Sequence, residues 1–72
     1  MRYAVVIETT DNNFSAFVPD LPGCIATAES EEDVRRLIRD AVEFHLDAMR
    51  QDGSPIPEPR TRVLYVDTAE AA

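Results

Sequence analysis

Apolar positions follow two different periods along this chain, and the change of period divides it. Residues 3–9 read Tyr-Ala-Val-Val-Ile-Glu-Thr, a β-branched and aromatic run that predicts a central strand. Asp11, Asn12 and Asn13 supply a polar turn in which asparagine tolerates positive φ, and residues 14–18 resume with apolar side chains at alternate positions, so the two runs form a hairpin. Pro19 ends the second run because it lacks the N–H that a ladder uses. Pro22 and Gly23 suit the two central positions of a type II turn, and residues 24–28 follow as a short third strand.

The period then lengthens. Ser30, with Glu31, Glu32 and Asp33 behind it, is a helix start: a hydroxyl N-cap followed by carboxylates at the positive end of the macrodipole. From Val34 onward, Leu37, Ile38, Ala41, Val42, His45, Ala48 and Met49 recur at helical spacing and share one face, predicting a helix over about 31–52 with Gly53 as its C-terminal cap. Pro55, Pro57 and Pro59 forbid continuation and predict an extended connector. Residues 62–67 read as a fourth strand and 68–72 as a frayed tail.

The expected architecture is α+β, a β-β-β-α-β unit with one helix on a four-stranded sheet. Helix and connector act as a crossover that places the fourth strand parallel to the first, giving the order 3-2-1-4. The whole of 1–72 reads as one domain, with no C-terminal DNA-binding segment. A chain this short has room for one core, and the uncovered sheet face and edge predict a homodimer or higher homo-oligomer.

Charge narrows the function. Fourteen acidic residues against seven basic ones give a formal charge of −7, a field that repels phosphate backbones and favours a basic protein partner over direct DNA contact. No apolar run approaches the length of a membrane helix, and the start lacks a secretory pattern. With Cys24 the single cysteine, no internal disulfide or cysteine metal cluster can form, and a cytoplasmic setting is expected. With two glycines, Gly23 and Gly53, there is no phosphate-cradling loop, and no cofactor is expected.

Several residues together resemble a known family. The string Val18-Pro19-Asp20-Leu21-Pro22-Gly23-Cys24, the Ser30-x-Glu32-x-Val34 helix start, Phe44-His45-Leu46, and Gly53-x-Pro55-Ile56-Pro57-x-Pro59 look like the HicB-like antitoxins of bacterial toxin-antitoxin pairs. The likeness spans roughly Tyr3 to Val66. It implies a degraded ribonuclease-H-like domain that binds HicA, a small basic toxin that cleaves messenger RNA, and blocks its surface. Many members continue into an operator-binding segment, which a chain stopping at Ala72 lacks; a solo relative without a working toxin is the alternative.

On that reading the protein is no enzyme. Asp20, Glu29, Glu31, Glu32 and Asp33 are the candidate partner-binding residues, presented together by a rigid loop and the helix start, while Pro19, Pro22 and Gly23 hold the loop. The rival is a residual metal-dependent nuclease. It needs several carboxylates around paired cations, and the expected fold offers Glu8 and Asp67 on adjacent strands and little else. His45 reads as a core or interface histidine and Cys24 as a buried apolar side chain. Arg60 and Arg62 read as a solvated edge that discourages sheet stacking.

Overall fold

The computed structural model describes residues 1–70. Three strands, β1 (Val6–Thr9), β2 (Phe14–Phe17) and β3 (Ile25–Ala28), form an antiparallel sheet of order β1-β2-β3, and one helix, α1 (Glu31–Asp52), follows. The class is α+β. The four-stranded order 3-2-1-4 is corrected: residues 62–67 pair with no strand among the described residues, and this stretch runs beside the sheet without joining it. Residues 71 and 72 of the expected tail lie outside the described part.

The strands are shorter than their composition predicts, because a ladder needs a partner as well as propensity. Val6 pairs with Phe17 and Phe17 with Ile25. Beyond Phe17 the chain turns away at Val18 and Pro19, so residues 3–5 overhang the sheet with no strand opposite them. The β1-β2 turn also differs from expectation. Gly23 and Gly53 are the described residues with positive φ, so neither asparagine uses it. Instead the Thr10 hydroxyl accepts from the backbone N–H of Asn12 and Asn13, while Thr10 N–H donates to the Asn13 carbonyl at 2.9 Å.

Register fixes which side chains share a face. Ile7, Ala16 and Ala26 form one row, and Phe14 and Ala28 belong to another on the same face, under the helix. Val6, Phe17 and Ile25, with Glu8, Ser15 and Thr27, line the opposite, open face. Ala16 at the centre is buried, and small residues there let the helix approach the sheet closely.

The helix begins and ends on local chemistry. Ser30 is extended (φ −132°, ψ 157°), and its Oγ accepts from Asp33 N–H at 3.1 Å. Gly53 is left-handed (φ 74°), with its N–H donating to Arg50 and Ser54 N–H donating to Met49, a Schellman closure. The buried face is rotated by about 40° from the predicted one, at ~100° per residue. Val34, Ile38 and Leu46 are buried and His45 and Met49 half-buried, whereas Leu37 and Ala48 lie exposed. Two contacts explain the rotation. The helix packs on β3 and β2 and does not reach β1, and the connector brings Ile56 against the same core.

Candidate partner-binding surface

The loop between β2 and β3 is built from two consecutive turns. Leu21 N–H donates to the Val18 carbonyl at 3.0 Å, with Pro19 and Asp20 between them. Cys24 N–H then donates to the Leu21 carbonyl at 3.0 Å across Pro22 and Gly23, and Gly23 has the φ of 85° that a type II turn demands there. Val18 N–H closes the loop on the Cys24 carbonyl at 3.1 Å. The effect is to drive Leu21 inward to complete burial beside Val34 and Cys24. Burial pushes the Cys24 thiol up from its ordinary range, so it stays protonated and behaves as a small apolar side chain.

Asp20, the loop's one carboxylate, is turned toward the connector. Its Oδ2 accepts from the backbone N–H of Arg60 and of Thr61, both at 2.9 Å, and its Oδ1 accepts from the Thr61 hydroxyl at 2.8 Å. The two backbone donors, Thr61 first, hold the Asp20 carboxyl below the usual carboxylate range. A second tie lies close by, where the Tyr3 hydroxyl donates to the Pro57 carbonyl at 2.6 Å. Together they fix the path of the proline-rich connector back across the domain.

The other candidate acids sit elsewhere. Glu29, Glu31, Glu32 and Asp33 cluster at the helix start, which follows the far end of β3 from the Asp20 loop. A strand of four residues, roughly 13 Å at its usual rise, separates Asp20 from these four acids. Glu29, Glu31 and Glu32 are exposed. Glu31 is bonded to Arg35 at 2.8 Å and Asp33 faces Arg36 at 3.3 Å, both exposed pairs that leave Glu29 and Glu32 as the unpaired charges of the cluster. Among the described residues, no three His, Cys, Asp or Glu side chains are grouped to hold a metal ion. Glu8 and Asp67 are both exposed and no ladder brings their strands together.

Exposed apolar side chains complete the picture. Ile25, Leu37 and Phe44 border a groove along the outer side of β3. Val63, Leu64, Tyr65 and Val66 are between 56% and 91% exposed, an apolar run left in solvent. Helical spacing alone predicts Leu37 as core, yet it is 39% exposed, and the expected strand over 62–67 does not form among the described residues. No helix among the described residues is long and apolar enough to cross a membrane.

A three-stranded sheet with one helix on one face, a mixed open face and an acidic helix start defines a small domain of the α+β class. The profile of the HicB-like antitoxins of bacterial toxin-antitoxin systems matches residues 3–71, and the chain belongs to that family. A 14.9 kDa protein from the rep-hol intergenic region of Haemophilus phage HP1 is 26% identical over 70 residues, 97% of this chain. The chain spans 53% of that relative's length. UPF0150 proteins of Helicobacter pylori and Archaeoglobus fulgidus are 40% identical over 52 residues and 32% over 56, covering 72% and 74% of this chain and 72% and 81% of their own lengths.

Proposed function

We propose that this chain is an antitoxin that neutralises a small basic, mRNA-cleaving toxin of the HicA kind by stoichiometric binding, without chemistry of its own. The observation that carries the reading is family membership across nearly the whole chain, and the charge of −7 gives it a physical basis. A cationic RNA-binding surface on the partner would find its arginines and lysines satisfied by carboxylates and its substrate phosphates excluded. Glu29, Glu31, Glu32 and Asp33 would face that partner, while Asp20, Pro19, Pro22 and Gly23 would hold the adjoining loop and connector in shape. The protein would act in the cytoplasm on a ribonuclease-H-like scaffold reduced to its binding function, with the negative charge of these residues opposing direct contact with DNA.

Co-expression with a basic toxin encoded in the adjacent reading frame tests this. Growth rescue and co-purification at one-to-one stoichiometry are expected, with Glu29→Lys and Glu32→Lys together weakening binding at least about tenfold through like-charge contact. Failure of both rescue and co-purification removes the reading.

A second reading is a self-associating, solo domain with a regulatory or scaffolding role. The exposed run 63–66 favours it, since a domain gains by covering so much apolar surface. Self-association belongs to both readings.

A further inference from the structure

We propose that residues 62–66 of one copy add as a strand to the β1 edge of a second copy, and that the second returns the same contact. This deepens the self-association stated above by naming the segment and the edge that carry it.

Four observations converge. β1 is an edge strand with no strand on its outer side among the described residues. The helix stops short of β1, which leaves a groove of about 440 Å³ between them, floored by Val5, Ile7 and Ile38. Residues 62–66, Arg-Val-Leu-Tyr-Val, are rich in strand-favouring types, yet they make no ladder, and Leu64 and Tyr65 are 84% and 91% exposed. The molecule is also drawn out: its radius of gyration is 14.4 Å, against about 11 Å for a compact domain of this length.

Closure within one copy is the competing arrangement, because Tyr65 already stands at the mouth of that groove. It is disfavoured by bonds the chain has made. Asp20 grips Arg60 and Thr61, Tyr3 grips Pro57, and three prolines stiffen the stretch between. The direction in which residue 62 leaves is therefore set before the edge is reached, and it carries the segment past β1 without a backbone bond. An unpaired strand and an unpaired edge on the same chain are mutually complementary under a two-fold axis, which satisfies both at once. Charge does not steer the contact: Glu31 and Arg35 at the groove pair with one another, and Arg39 beside them has no ion pair among the described residues, so the backbone ladder and apolar side chains carry it.

Sedimentation equilibrium of the 72-residue chain should give twice the 8.1 kDa mass. Tyr65→Asp and Leu64→Asp, at positions exposed in the single copy, should leave the helical circular dichroism intact and weaken dimerisation at least about tenfold. An equimolar mixture of a Thr9→Cys chain and a Tyr65→Cys chain, oxidised at low micromolar concentration, should give a covalent dimer of the two different chains. A dimer insensitive to both aspartate variants, or no disulfide between the two chains, overturns the assignment of segment and edge while self-association stands. A wild-type chain that stays at 8.1 kDa at every concentration overturns both.

Discussion

Leu21 and Asp20 are neighbours in one loop with opposite duties. Leu21 points inward and is wholly buried against Val34, so truncation leaves a void in a core with few other members. Leu21→Ala should cost about 2–5 kcal/mol in urea unfolding followed by circular dichroism, a large share of what so small a domain possesses. Asp20 points outward and clasps the connector, and its consequence is a pH dependence. Its carboxyl titrates below the ordinary value of 3.8, so the clasp contributes in full above about pH 4 and is lost as pH falls through the depressed folded value. The protection of the Arg60 and Thr61 amides, measured as exchange relative to the intrinsic rate at each pH, should fall on acidification in the wild type. In Asp20→Ala that protection should be low at every pH, with no acid transition.

At the level of elements, α1 is bounded by two residues whose substitutions separate side-chain from backbone effects. Ser30→Ala removes the acceptor for Asp33 N–H and should cost about 1 kcal/mol. At Gly53 an added Cβ meets nothing within 4 Å, so Gly53→Ala should cost about 1 kcal/mol from the left-handed backbone alone. Chemical denaturation of the two variants and of the double variant checks this, and the costs should add because the sites lie at opposite ends of a 22-residue helix. The strands behave differently. β1 and β3 are both set by their register with β2, and the overhang of residues 3–5 shows that apolar content without a facing strand yields an extended segment, not a ladder.

For the molecule as a whole, charge sets the terms of association. The chain's −7 charge should draw a basic partner from a distance, so the association rate should fall at least about tenfold when salt rises from roughly 0.05 M to 0.5 M, with the dissociation rate changing less. Stopped-flow fluorescence with a labelled partner reads both rates. Insensitivity to salt would place the contact on the apolar groove beside β3, where Ile25, Leu37 and Phe44 lie, instead of on the acidic helix start.

Local chemistry determined the hairpin, the type II turn at Pro22 and Gly23, and both ends of the helix, because each depends on residues within a few positions of one another. The family likeness was legible for the same reason, since its motifs are short strings. Tertiary structure alone decided that residues 62–67 stay out of the sheet, that Leu46 replaces Leu37 on the buried face, and that Asp20 is tied to Thr61 forty-one positions away, apart from the acids it was grouped with. Each of these turns on where a distant segment returns, which hydrogen bonds and packing across the fold select and which local spacing does not encode.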